Sequence, residues 1–248
     1  MTELTGKTVL ITGGGSGVGA VMAASFAAAG AKVWIAGRRE DKLRATAAKD
    51  PVISYVVADV TDEKSVANIY ATAGQIDIVI ANAGMSGSAP LHKTSLEDWQ
   101  NTLAVNLTGT FLTFRDGLQQ MPQQGGRLIA VASTAGLKGY AYVAPYTAAK
   151  HGVVGLVRAL ALEVAKSGTT VNAICPGFLD TEMTEKSIEN IVAKTGKTAD
   201  QARQILADNN PQKRLIQPQE VADTALWLCR DAARSINGQA IALSGGEI

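Results

Sequence analysis

"KTVLITGGGSGVGAVMAASFAAAG", residues 7–30, passes from a short apolar run through a glycine cluster into a stretch with helical spacing. A continuous apolar run such as 7–12 suits a strand buried on both faces, as in parallel sheets. Glycines directly after such a strand let the chain turn tightly and let a pyrophosphate approach the backbone. The unpaired N–H groups that open the next helix then attract its charge. This setting makes a weak glycine pattern a dinucleotide-binding expectation. The pattern reads as Gly13-xxx-Gly17-x-Gly19, although Gly15, Gly17 and Ala20 also fit GxGxxA spacing. A Walker A loop is excluded, because no Lys-Ser or Lys-Thr follows the last glycine. The expected cradle is Gly13, Gly15, Ser16, Gly17, Val18 and Gly19.

The same rhythm continues outward. Further β-rich runs lie at 32–37, 53–58, 76–82, 127–133, 170–175 and 240–245, and helical spacing fills 40–49, 62–73, 95–121, 145–167 and 218–230. Regular alternation predicts an α/β fold, a doubly wound (Rossmann) parallel sheet of about seven strands with helices on both faces. No repeat or linker divides the chain, so residues 1–248 read as one catalytic domain. The long, mostly polar stretch 178–217, with helical character, interrupts the rhythm between the sixth strand and the next helix. Such an insertion, at the carboxyl end of a strand, is placed to act as a substrate lid.

Composition narrows the function. Twenty-three Lys and Arg against 22 Asp and Glu give a net charge of +1, with the charges scattered, so no nucleic-acid footprint is visible. Neither a signal peptide nor a membrane span is read, since "HGVVGLVRALALEVA" is interrupted by Arg158 and Glu163. A soluble, cytoplasmic protein is expected. Cys175 and Cys229 are far apart and form no metal-ligand or CxxC pattern, and the chain has two histidines, so neither a disulfide framework nor a metal site is expected.

The cofactor can be read further along. About 20 residues past the glycine loop, NAD-binding folds end the second strand in a carboxylate that holds the ribose 2′-hydroxyl. This chain has Gly37-Arg38-Arg39 there. Arginines and no acid at the strand tip favour a 2′-phosphate, hence NADP. Glu40 and Asp41 suit the start of the next helix; one of them turning toward the ribose is the alternative, with NAD as cofactor.

The chemistry is suggested by "APYTAAKHG", residues 144–152. Tyr146 and Lys150, four apart on a helix, share one face. A nearby cation favours the ionised phenol and brings it toward acid–base work. A Tyr and a Lys at this spacing also occur by chance, so the rest of the chain has to decide.

With these pieces together the sequence resembles the classical short-chain dehydrogenase/reductases over essentially its whole length. "TGGGSGVG" (12–19) matches the family's TGxxxGxG loop, and "ANAG" (81–84) its NNAG motif with Ala81 for the first Asn. "VNLTG" (105–109), "VASTAG" (131–136), "YTAAK" (146–150) and "CPGFLDTEM" (175–183) follow in family order. The resemblance implies that Tyr146 donates the proton to a carbonyl, Ser133 holds the substrate oxygen, Lys150 binds the nicotinamide ribose and lowers the tyrosine pKa, and Asn106 supports a water-linked relay. It further assigns Asp59 and Val60 to the adenine pocket, Asn82, Ala83 and Gly84 to the cofactor ribose region, and Pro176, Gly177 and Thr181 to the nicotinamide, beside the Arg38 and Arg39 contacts read from the strand tip. It implies a homotetramer, and a small-molecule carbonyl or alcohol substrate. "CPGFLDTEM" resembles the corresponding segment of 3-oxoacyl thioester reductases, which favours a 3-oxoacyl thioester or related 3-keto compound. A sugar, steroid or simple secondary alcohol is the alternative substrate, and a redox-inactive dinucleotide-binding regulator the alternative class.

Overall fold

A computed structural model describes residues 4–122 and 125–248. The seven strands are β1 Thr8–Thr12, β2 Lys32–Gly37, β3 Ile53–Val57, β4 Ile78–Ala81, β5 Arg127–Val131, β6 Thr170–Pro176 and β7 Ala240–Leu243. All neighbouring pairs are parallel, in the order β3-β2-β1-β4-β5-β6-β7. The expected doubly wound sheet is therefore present. β1 and β4, neighbours in the sheet, mark the point where the chain reverses direction across it, which opens the ligand-binding crevice at their carboxyl ends.

Helices close both faces. α1 Gly17–Ala28 and α9 Pro218–Cys229 cover one, over a core that includes Val9, Ile11, Met22, Phe26, Val33, Ile35, Ile80 and Val221. α2 Glu40–Ala47 packs beside them through Leu43. The other face carries α3 Glu63–Ala73, α5 Gly109–Gln120 and the 21-residue α6 Ala144–Val164, over Leu10, Ile69, Tyr70, Phe114, Leu128 and Val157. Because both faces are covered, the central strands are buried residue after residue, and this produces their unbroken apolar runs.

One expectation needs revision. The single helix expected over 95–121 is α4 Leu96–Leu103, a π-helical turn Ala104–Thr108, and then α5. The extra residue in that turn does not disturb hydrophobic spacing enough to show in the sequence. The helical character expected in the 178–217 stretch is present. It holds α7 Glu182–Thr195 and α8 Ala199–Ala207 around a small core of Ile188, Ala202, Leu206, Ala207 and Leu215. Its two ends meet in a bridge between Leu179 and Ile216, and Arg203 pairs with Asp180 at 2.8 Å across the base.

Candidate active site

The crevice begins at Thr12, the last residue of β1. Its hydroxyl accepts the Asn82 and Ala83 N–H groups, each at 3.1 Å, and its carbonyl accepts Asn82 Nδ2 at 2.9 Å. Asn82 therefore braces the glycine loop with its side chain, and Thr12 has a structural role the spacing did not single out. Gly13 has φ +68°, and a Cβ there would meet Ala83 Cα at 2.9 Å. A Cβ on Gly19 would run into the Gly13 carbonyl. Both positions need glycine, because the loop packs closely there on the Asn82–Ala83 segment and on itself, which sets the tight turn into the start of α1. Ser16 holds the N-cap position of α1, whereas the Val18 side chain is buried in the core and can offer a ligand only its backbone. Gly17 and Gly15 complete the loop, with the Thr181 methyl 3.8 Å from where a Gly17 Cβ would lie.

The arginines lie at the edge of this cradle. Arg39 Nη2 donates to Ser16 Oγ at 2.8 Å, and Arg38 Nη1 is 3.8 Å from Asp59 Oδ2 with its side chain largely exposed. Burial alone would raise the Asp59 pKa. Two bonds from Thr61 and the Arg38 charge outweigh it and hold the carboxyl below the usual carboxylate range. Glu40 accepts from Arg44 at 2.8 Å and from Tyr55 at 3.3 Å. Val60 is buried; a Cβ added to Gly109, at the start of α5, would reach it at 2.7 Å.

On the other side of the crevice, α6 places Tyr146 and Lys150 one turn apart. Lys150 is buried, its Nζ donating to the Val131 carbonyl at 2.8 Å and lying 5.5 Å from the centre of the Tyr146 ring. Burial pulls this lysine down to about 8. The tyrosine behaves differently from the simple charge argument. Burial raises its pKa, and a hydrogen bond from Ser133 only partly opposes that rise. Lys150 Nζ is bonded to a backbone carbonyl, and desolvation is the largest influence on the phenol.

Ser133 follows β5 in extended backbone. Its Oγ accepts the Ala135 N–H at 3.1 Å and lies 3.5 Å from the Pro176 carbonyl. Asn106 sits in the π turn and is fully buried. Its Nδ2 donates to the Met85 and Thr102 carbonyls, both at 2.9 Å, while Oδ1 accepts Met85 N–H at 3.3 Å. A Cβ on Gly84 would lie 2.9 Å from Asn106 Oδ1 and 3.8 Å from Lys150 Nζ, so Gly84 lets these two groups approach. Pro176 ends β6, and the Gly177 N–H donates to Leu243 O at 2.9 Å. Thr181 holds the N-cap position of α7. Residues scattered from 12 to 181 in the chain thus converge on one crevice.

The two cysteines are buried thiols, pushed up by burial to about 11 at Cys175 and about 12 at Cys229. Among the described residues no group of three or more His, Cys, Asp or Glu could hold a metal ion, and no helix is long and apolar enough to cross a membrane.

A dinucleotide cradle beside a Ser-Tyr-Lys cluster defines an α/β oxidoreductase that uses a nicotinamide dinucleotide. A family model described as enoyl-(acyl carrier protein) reductase matches residues 13–247. D-beta-hydroxybutyrate dehydrogenase of Rhizobium meliloti (strain 1021) is 35% identical over 97% of this chain and 98% of its own. The 3-oxoacyl-(acyl-carrier-protein) reductase of Aquifex aeolicus (strain VF5) is 33% identical, covering 98% of each. A crystal structure of actinorhodin polyketide ketoreductase with NADPH superposes with a TM-score of 0.90, at 32% identity over 97% of each chain. The chain belongs to the short-chain dehydrogenase/reductase family. It is an oxidoreductase acting on keto and hydroxyl groups.

Proposed function

We propose that the protein is an NADP(H)-dependent ketoreductase for 3-oxoacyl thioesters or related 3-keto compounds, with Asn106, Ser133, Tyr146 and Lys150 as its catalytic residues. The observation that carries this reading is the convergence of three groups on one crevice: Ser133 just past the end of β5, Tyr146 on α6, and the buried Lys150 ammonium 5.5 Å from the tyrosine ring centre. When bound, the nucleotide supplies a hydride to the carbonyl carbon. Ser133 and Tyr146 hydroxyls are placed to hold the developing negative charge, and Tyr146 to deliver the proton. A raised phenol pKa keeps that proton in place at neutral pH, as reduction requires. Lys150 orients the nicotinamide ribose, and Asn106 holds the Met85 backbone where a proton relay would pass.

The exposed Arg38 and the Arg39 bonded to Ser16 support NADP, as does the engagement of Glu40 by Arg44 and Tyr55. The 3-oxoacyl-(acyl-carrier-protein) reductase relative supports the thioester reading. The hydroxybutyrate dehydrogenase relative supports the second reading, a small 3-hydroxy acid as substrate. In either case 178–217 acts as the substrate lid. The test is a panel of 3-oxoacyl thioesters, 3-keto acids, sugars and simple ketones with NADPH, followed by the loss of nucleotide absorbance. The fastest turnover is expected with the thioesters. Tight NADPH binding without turnover of any carbonyl would refute the reading and favour a regulator.

A cytoplasmic homotetramer completes the proposal. Phe111 on α5 and Leu162 on α6 are 43% and 82% exposed, and Leu96 on α4 is 70% exposed, so three neighbouring helices carry apolar surface suited to a copy of the same chain. Light scattering at micromolar concentration is expected to give four times the 25.8 kDa chain mass. A monomer would refute it.

A further inference from the structure

Outside the reacting groups, one buried carboxylate is tied to the active-site segment from far away in the sequence. The side chain of Glu247 is 5% exposed, and its Oε1 accepts from Tyr140 OH at 2.6 Å and from Lys138 Nζ at 2.9 Å. The same Tyr140 hydroxyl lies 2.7 Å from Thr134 Oγ1. Thr134 is buried and adjoins Ser133, in the short turn that the Ser133 hydroxyl caps. Lys138 Nζ also stands 5.0 Å from the centre of the Tyr140 ring. A carboxylate out of water is stable only with partners of this kind. Its partners are the residues that carry the loop from Ser133 toward α6.

Glu247 is equally tied to the insertion. It belongs to the segment Ser244–Ile248 that follows β7 and curls back on itself, with Glu247 N–H to Ser244 O and Ile248 N–H to Ser244 Oγ. Gly245 has φ +61° and lies so close to Asn210 that a Cβ would collide with its side-chain oxygen. A Cβ on Gly246 would touch Pro211 at 3.9 Å. Asn210 is itself buried and fixed to Gln212 N and Arg214 O, at the end of the insertion. At the other end of the insertion, Glu247 Oε2 lies 3.4 Å from where a Cβ on Gly177 would be. Phe178, which packs on the insertion core, meets Tyr140 edge to face at 6.3 Å.

We infer that Glu247 is a positioning residue for carbonyl reduction: by accepting the Tyr140 hydroxyl it locks the Ser133 segment to the insertion 178–217. This rests on the ketoreductase reading. Glu247 touches no reacting atom. It acts by fixing where the Ser133 hydroxyl stands relative to the insertion that covers the substrate. Misplacing a catalytic group by about 1 Å costs on the order of a hundredfold in rate.

The test compares Glu247→Ala with Glu247→Gln in the NADPH-bound protein. Two readouts are used: kcat with a 3-oxoacyl thioester, and amide hydrogen exchange of peptides covering 133–143 and 208–216. Glu247→Ala is expected to lower kcat about ten- to a hundredfold with little change in the KM for NADPH, and to speed exchange in both peptides. Glu247→Gln keeps an acceptor for Tyr140 and is expected to restore slow exchange and most of the rate. Unchanged exchange over 133–143 in Glu247→Ala overturns the inference. So does a Gln variant as impaired as the Ala variant, since that would make the negative charge, and not the Tyr140 bond, the essential feature. Exchange does not depend on which substrate is turned over. A wild type without turnover therefore counts against the ketoreductase reading, and failure of the exchange result counts against the lock.

Discussion

Tyr146→Phe is expected to lower carbonyl reduction by about 10²–10⁴-fold, the usual worth of a positioned general acid, while NADPH affinity stays nearly constant. The substitution removes one oxygen. The phenyl ring retains the face toward which Lys150 Nζ is directed at 5.5 Å, so the ammonium keeps an aromatic neighbour and its bond to Val131 O. Ser133 loses the Tyr146 hydroxyl but keeps Ala135 N–H, so its segment remains capped. The loss is then confined to proton delivery and to one of two donors toward the developing oxyanion. The elevated phenol pKa gives a directional corollary. Burial holds Tyr146 protonated, which suits reduction, whereas alcohol oxidation needs the phenolate and should gain from rising pH. Single-turnover rates with a 3-oxoacyl thioester, alongside a fluorescence titration of NADPH, check both parts. Retention of more than about a tenth of wild-type turnover would exclude Tyr146 as the proton donor.

The parts of this protein that were legible in its sequence are those written in local spacing. The strands β1, β4, β5 and β6 announce themselves because both faces are covered and their runs are mostly apolar. The glycine loop shows because only glycine tolerates the contacts at Gly13 and Gly19. Tyr146 and Lys150 share a helix face and need no tertiary information. What stayed hidden depends on contacts between distant segments. The π turn at Ala104–Thr108 frees the Thr102 carbonyl for Asn106, and neither residue type nor period betrays it. The pairing of Thr12 with Asn82 spans 70 residues, and that of Tyr140 with Glu247 spans 107. The sign of the Tyr146 shift was hidden for the same reason. Spacing places a cation four residues away, but only the fold shows that it points at the ring and that burial outweighs it. An exposed Arg38 paired with Asp59, next to an Arg39 turned onto Ser16, likewise splits between two side chains what the dipeptide alone presents as one basic patch.

That split defines the second large effect. Arg38→Ala is expected to weaken NADPH by roughly ten- to a hundredfold, the equivalent of about 1.5–3 kcal/mol for a charge-assisted contact, and to leave NADH nearly unaffected. Among the described residues Arg38 pairs with Asp59 at 3.8 Å and its side chain is 68% exposed, so its charge is available to a 2′-phosphate at small cost. Adding Gly37→Asp goes further. A Cβ at Gly37 would have only Leu43 Cδ2 within contact, at 3.7 Å, so the new side chain fits at the tip of β2 without disturbing the fold. Its carboxylate would accept from a free 2′-hydroxyl and repel a phosphate, so the double variant should prefer NADH where the wild type is expected to prefer NADPH. Glu40 cannot easily substitute for that acceptor, since Arg44 and Tyr55 already engage it. Arg39→Ala serves as the internal comparison: it breaks the bond to Ser16 and should affect both nucleotides alike through the phosphate cradle that they share. The values of kcat/KM for NADPH and NADH across the wild type and these variants decide the matter. A wild type that prefers NADH, or an Arg38→Ala variant that weakens both nucleotides equally, overturns the NADP assignment and moves attention to Asp41.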